Sequence, residues 1–414
     1  MAESQTDRKL SQIAILVALA CVLQIAESFI PHPVPGLRLG LANMMTLTAM
    51  ILLGFGPAME VALLRTVLSA FIMGSFMSPT FILSFSGAVV STAVMGFFYW
   101  LSGTHRYFRL SVVGISILGA FTHNMVQLSL AYFLLVKHGG IFVFFPWLSI
   151  GAVATGWVVG VVTGGVCRRV VKGDACSIGE NPTEKTRPSF MRPYQHSTSF
   201  LHRMPASGKL SAIFVLAVCF FVICDVRAYL AVFMAMVFLA AVSQLSLNDL
   251  FSQIKRYAML LAMAFLLPVC FDSGTDVIAT IGALKITASG LHLGMLFAFR
   301  ILLLLFASCL LMRTTSPGEL TRGLAQVLFP LSVLGISRHR VATVLTLALE
   351  AVPAAWGATR GAMATADLKK VHTLKNLIPL LSDMIAALYL RAGLPDVQRE
   401  ETAPKKSQRS MDVV

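Results

Sequence analysis

Apolar runs close to bilayer length follow one another from Leu10 onward, and cations gather in the short gaps between them. A helix needs ~20 consecutive apolar residues to cross a bilayer. The chain offers about ten such runs, at 10–29, 38–55, 58–75, 80–101, 110–136 and 141–166, then 210–224, 227–245, 257–272 and 288–312. Of its 414 residues 57% are hydrophobic and 13% charged, which excludes an ordinary soluble domain. Leu10–Ile30 is followed at once by further spans, so it reads as a retained first helix and not a cleaved signal. The expected fold is all-α: a polytopic transmembrane helical protein.

The net charge of +14 raises nucleic acid as a partner, and its placement excludes it. Arg8 and Lys9 precede the first span, Arg106 and Arg109 follow the fourth, and Arg168, Arg169 and Lys172 follow the sixth. The alternate loops, near Arg38 and Lys137, carry fewer cations. This bias puts the N-terminus in the cytoplasm, and the C-terminal tail with it, in a multi-pass protein of the plasma (inner) membrane. The lipid bilayer is the expected surrounding.

Between Arg169 and Lys209 hydrophobicity collapses. Proline, hydroxyl and charge alternate without period, as in Glu180-Asn-Pro-Thr-Glu-Lys-Thr-Arg-Pro-Ser. The chain thus divides into a membrane domain at 1–168, a cytoplasmic linker at 169–209, a second membrane domain at 210–395 and a basic tail at 396–414. In the second domain Leu247–Arg256 is amphipathic. From Ser316 the segments become half-polar, at 316–329, about 340–370 and 375–392. Ser316-Pro-x-Glu319, directly behind the last span, has the form of a capping box opening a helix. Leu320, Leu324, Val327 and Leu328 then form an apolar stripe at helical spacing. Such a segment presents a surface to a soluble partner.

No GxxxxGK[ST] phosphate loop is present, so ATP has no cradle in this chain. Between Asp7 and Asp174 there is no aspartate, and no Asp-Asp pair occurs anywhere, so the first domain lacks the carboxylates of a magnesium-dependent diphosphate enzyme. The nine histidines and seven cysteines show no metal-ligand spacing, and the cysteines read as small apolar residues. No catalytic residue, metal or cofactor is expected.

Polar residues inside spans are few and therefore informative, because each needs a partner or a wet cavity. Glu27 ends the first span. A loop stiffened by three prolines follows and ends at Arg38. Asn43 lies in the second span, Arg65 in the third, and His123, Asn124 and Gln127 in the fifth. His123 and Gln127 are one helical turn apart. These seven are the candidate substrate-binding residues, grouped at the outer side. Glycines 36, 40, 54, 56, 74, 87 and 96 in and around spans two to four allow close helix packing.

Glu27-Ser-Phe-Ile-Pro31, Pro35-Gly-Leu-Arg-Leu-Gly-Leu-Ala-Asn43, Leu53-Gly-Phe55, Leu64-Arg65, Ser78-Pro-Thr-Phe81 and Gly119-Ala-Phe-Thr-His-Asn124 resemble the "Gx transporter" family over residues 8–168. That family is often labelled heptaprenyl diphosphate synthase component I and is similar to the six-helix substrate-binding S components of energy-coupling-factor transporters. Residues 208–395 resemble the transmembrane T components of the same transporters, known also as cobalt-transport-Q-like proteins. Ile286-Thr-Ala-Ser-Gly-Leu291, Phe299-Arg-Ile-Leu-Leu303, Thr314-Thr-Ser-Pro-Gly-Glu-Leu320, Pro330-Leu-Ser-Val-Leu-Gly335 and Leu345-Thr-Leu-Ala-Leu349 with Pro353 carry that likeness. In that family two coupling helices end in Ala-Arg-Gly-like motifs that dock on ATPases. This chain departs there. Ala348-Leu-Glu-Ala-Val-Pro353 has Glu350 where the family commonly has arginine, and Leu368-Lys369-Lys370 stands where Ala-Arg-Gly is usual. Arg360, Lys369, Arg391 and Arg399 are the cations the resemblance leaves for ATPase coupling.

The resemblance implies a permease-type membrane subunit that joins an S component to a T component. It would take up a small molecule (a vitamin, metal or related micronutrient), and separate cytoplasmic ATP-binding cassette subunits would hydrolyse ATP. The alternatives are an accessory membrane subunit of polyprenyl diphosphate synthesis and a membrane scaffold that does not transport.

Overall fold

In a computed structural model, the structure describes residues 2–27, 40–73, 75–76, 78–104, 110–136, 139–172, 204–222, 225–242, 255, 257–271, 276–281, 284–316, 318–319, 322–323, 326, 338–365 and 374–392. The first half folds as α1 (Ala2–Glu27), α2 (Asn43–Leu53), α3 (Phe55–Met73), α4 (Pro79–Thr104), α5 (Val112–Ala131) and α6 (Phe145–Lys172). The second half holds α7 (Ala206–Val222), α8 (Val226–Val242), α9 (Ala258–Phe271), α10 (Ala288–Thr314), α11 (Arg338–Thr365) and α12 (Leu374–Ala392). Six helical stretches among the described residues are long and apolar enough to cross a membrane, five in the first half and one at Ala288–Leu311. The protein is an all-α integral membrane protein.

Beyond the helices α7, α8 and α9, which at 17, 17 and 14 described residues fall short of the spans expected there, two elements differ in detail from the sequence reading. The second run, read as a span, forms a helix of 11 residues, or roughly 16 Å at 1.5 Å per residue. That is about half of a ~30 Å hydrocarbon core. The chain turns back at Gly54 directly into α3. Cys21 Sγ on α1 donates to Arg65 O on α3 at 3.5 Å, so α1 and α3 lie side by side. Arg65 then lies 11 residues, roughly 16 Å, beyond the turn at Gly54. The second difference is a short antiparallel hairpin, β1 (Val277–Ile281) and β2 (Leu284–Thr287), between α9 and α10. It reverses the chain into α10, whose N-cap is Thr287: its Oγ1 accepts from Gly290 N at 3.0 Å. The Thr287-Ala-Ser-Gly290 motif is thus a helix start.

Local chemistry explains the other end of α10. The Lys209 ammonium donates to Thr314 O at 2.8 Å, satisfying a terminal carbonyl where the helix dipole favours a cation. Directly behind it Ser316 and Glu319 form the expected reciprocal capping box, Ser316 N to Glu319 Oε2 at 3.2 Å and Glu319 N to Ser316 Oγ at 3.3 Å. Most of the helix expected at 316–329, including Leu320, Leu324, Val327 and Leu328, lies outside the described residues. So do the amphipathic 247–254, the linker beyond Lys172 and the basic tail.

The two halves share one apolar core. Val341, Val344, Leu345, Ala348, Val352 and Ala355 of α11 recur at helical spacing and bury against α1 residues such as Ile13, Val17 and Cys21. Met384, Ile385, Ala386 and Tyr389 of α12 join the same cluster with Val159, Val162 and Val166 of α6. A second contact lies further along. Ala264 of α9 and Phe297, Ile301 and Leu305 of α10 pack with Leu128 and Ala131 of α5 and Leu148 of α6. The half-polar helices α11 and α12 therefore turn their apolar faces to the first half.

Candidate functional site

Arg65 is the centre of the polar cluster in the first half. Only 2% of it is exposed, and its guanidinium forks between two helices: Nη1 donates to Gln24 Oε1 on α1 at 3.1 Å, and Nη2 to Asn43 Oδ1 on α2 at 2.5 Å. A planar guanidinium can make both bonds at once, where an ammonium cannot match the fork. The three helices are thereby tied together at the N-terminal end of α2.

Glu27 closes the same end. Its Oε1 accepts from Gly40 N at 2.7 Å, bridging the loop whose residues 28–39 lie outside the described set. Gly40 has φ +87°, a left-handed conformation open to glycine and strained for other residues. A Cβ there would lie 3.0 Å from Asn43 Nδ2 and 3.6 Å from His123 Cδ2, which brings α2 and α5 together beside Gly40.

His123 and Gln127, one turn apart on α5, are joined by a 2.9 Å hydrogen bond between His123 Nε2 and Gln127 Nε2. Both face Gly87 of α4. A Cβ at that glycine would come within 2.9 Å of His123 Nδ1 and 3.2 Å of Gln127 Cγ, so the ring needs the missing side chain. Asn124 points elsewhere: its Nδ2 donates to Leu148 O in the first turn of α6 at 3.0 Å. Two amide atoms in this region, Asn43 Nδ2 and Asn124 Oδ1, are buried without a protein hydrogen-bond partner. Buried polar atoms are nearly always paired, so each is a place for a ligand atom or a water.

Five of the seven expected substrate residues thus converge: Glu27, Asn43, Arg65, His123 and Gln127. Asn124 is adjacent and braces α6. Arg38 lies outside the described residues. Gln24 belongs to the cluster and was not singled out from sequence, and Gly40 and Gly87, read there as packing glycines, lie in it too. Gln24 carried a usable signal, a polar residue one turn before Glu27 in an apolar span.

A second polar centre joins the halves. Glu60 of α3, with 2% of its side chain exposed, accepts from Arg340 Nη2 of α11 at 2.8 Å. Arg169 of α6 pairs with Asp383 of α12. Glu60 was also missed, although an acid at Met59-Glu60-Val61 is the kind of residue that must find a partner in lipid. The expected coupling cations fall otherwise. Arg360 and Arg391 lie on α11 and α12 with side chains outside the described set, and Lys369 and Arg399 lie outside it altogether.

Comparison with known proteins follows the same division. Residues 16–166 match the family model described as heptaprenyl diphosphate synthase component I, and residues 197–393 the one described as cobalt transport protein. The two matches divide the chain as an S-like plus T-like fusion would. The second, T-like half is similar to proteins named energy-coupling factor transporter transmembrane protein EcfT. The one from Listeria innocua is 27% identical over 207 residues, covering 48% of this chain and 78% of the relative. The one from Brevibacillus brevis is 29% identical over 208 residues, with coverage of 48% and 78%. That from Bacillus subtilis is 26% identical over 208 residues, with the same coverage. The fusion is accordingly a membrane subunit of the energy-coupling-factor transporter type. Its S-like half carries the Arg65 cluster, and α11 and α12 of its T-like half lie against that half.

Proposed function

We propose that the S-like half captures a small polar molecule in the cluster around Arg65 and that the T-like half couples its release to ATP hydrolysis by separate cytoplasmic subunits. The observation that carries this reading is the position of α3. It holds Arg65 in the polar cluster and Glu60, five residues away, against Arg340 of the T-like half. A helix is stiff over such a distance, roughly 8 Å along its axis. Movement of α11 would therefore reach the ligand site directly. On α5 the same link recurs, since His123 and Gln127 face the cluster while Leu128 and Ala131 pack on α9 and α10.

In this mechanism the ligand enters from the end of the bundle where α1 ends and α2 begins. The buried amide Nδ2 of Asn43 offers it a donor. The T-like half then shifts on nucleotide turnover in its partners and biases the S-like half between two orientations. The subunit itself does no chemistry: it has no phosphate loop, and its EcfT-named relatives are transporter transmembrane proteins. The cation bias puts both termini and the linker in the cytoplasm.

The test is mass spectrometry of the proteins and small molecules retained by the full chain purified in detergent. The expected result is ATP-binding cassette subunits together with one small-molecule class, the latter lost in the His123→Ala/Asn124→Ala variant. Equal retention by that variant removes the two residues from the site. Recovery of a polyprenyl diphosphate synthase instead would favour an accessory role in that synthesis. Recovery of no ATPase would favour a scaffold.

A further inference from the structure

The interface between the halves is mostly apolar, and apolar helix faces accept many partners. Three features give it chemical identity. Glu60 of the S-like half, almost wholly buried, meets Arg340 of the T-like half at 2.8 Å. Arg169 of the S-like half meets Asp383 of the T-like half, with the charges exchanged. Beside this second pair α6 and α12 touch closely: Ser382 Oγ donates to Val162 O at 3.3 Å, and a Cβ on Gly165 would lie 2.6 Å from Ser382 Oγ.

We propose that these two ion pairs of opposite polarity are a recognition code by which the T-like half accepts its own S-like half and rejects a bundle that lacks it. A bundle with a neutral residue in place of Glu60 would deprive Arg340, whose side chain is 38% exposed, of its acid partner, and one with a cation there would repel it. Like charges and stranded charges at an interface exclude wrong partners more strongly than apolar contact selects right ones. The exchanged polarity adds to this. A partner that is simply acidic or simply basic on its docking face satisfies one pair and violates the other. The T-like half is on this view dedicated to the domain it is fused to.

Docking can be read without ligand or ATP, so the inference stands or falls apart from the transport reading. In the full chain, Gly165→Cys with Ser382→Cys makes a reporter. The Cβ positions are 3.1 Å apart, near the ~3.8 Å of a disulfide. The rate of disulfide formation in detergent, with the bridge mapped by mass spectrometry, measures how often the halves are docked. Glu60→Arg and Arg340→Glu, each alone, are expected to slow it by more than roughly tenfold, and Glu60→Gln by less. The two reversals together are expected to restore it. Where Glu60→Arg prevents folding, Arg169→Glu, Asp383→Arg and their combination give the same comparison at a half-exposed pair. Single variants that cross-link at the reference rate overturn the proposal. So does a double reversal that stays as slow as its parents.

Discussion

Arg65 on α3 and Asn43 on α2 are joined by a hydrogen bond from the guanidinium Nη2 to the amide Oδ1, while the other guanidinium arm holds Gln24 on α1. One side chain thus fixes the relative depth of three helices. Replacing it with lysine keeps the charge and loses the fork. Arg65→Lys is expected to destabilise the S-like half by roughly 1.5–3 kcal/mol, the worth of one charged hydrogen bond. Equilibrium unfolding in detergent would measure this. An unchanged unfolding curve would show that the fork contributes nothing.

Gly87 tests the packing behind His123. A methyl group there would sit 2.9 Å from His123 Nδ1, closer than Cβ atoms come. Gly87→Ala should push the imidazole off Gln127 at a cost of about 1–3 kcal/mol, the usual range for overpacking. Ligand retention should fall with it. Full retention in a stable Gly87→Ala protein would mean that the ring's position is irrelevant to binding.

Topology is testable at the end of α6, where Lys172 is exposed. In the proposed orientation, the cation bias of Arg168, Arg169 and Lys172 puts it on the cytoplasmic side. A cysteine substituted for Lys172 should resist an impermeant thiol reagent applied to intact cells and react once the cells are opened. Labelling in intact cells would invert the orientation.

Coupling to ATPase subunits should depend on single cations, if they insert into the partner. Truncating one buried interfacial charge can cost ~2–5 kcal/mol, whereas attraction to anionic lipid falls by about 1 kcal/mol per cation. At least one of Arg360→Ala, Lys369→Ala, Arg391→Ala and Arg399→Ala is therefore expected to abolish ATPase co-purification. A graded, additive decline across all four would identify the surface as lipid-binding. The purified chain alone should hydrolyse no ATP.

Hydropathy and charge placement determined the class by themselves, because a bilayer imposes element length and backbone satisfaction on any chain that crosses it. The six long spans were legible for that reason, and the Ser316–Glu319 cap from its own motif. So were most of the polar cluster residues, since a polar group in an apolar run announces a partner without naming it. Tertiary structure alone decided the partners. That Arg65 joins Gln24 to Asn43, that Glu27 binds a glycine N–H, and that Asn124 braces α6 depend on which helices are neighbours, and hydropathy says nothing of adjacency. Glu60 with Arg340 is the clearest case: 280 residues separate them. Their pairing follows from the apolar faces of α11 and α12 closing on α1, α3 and α6.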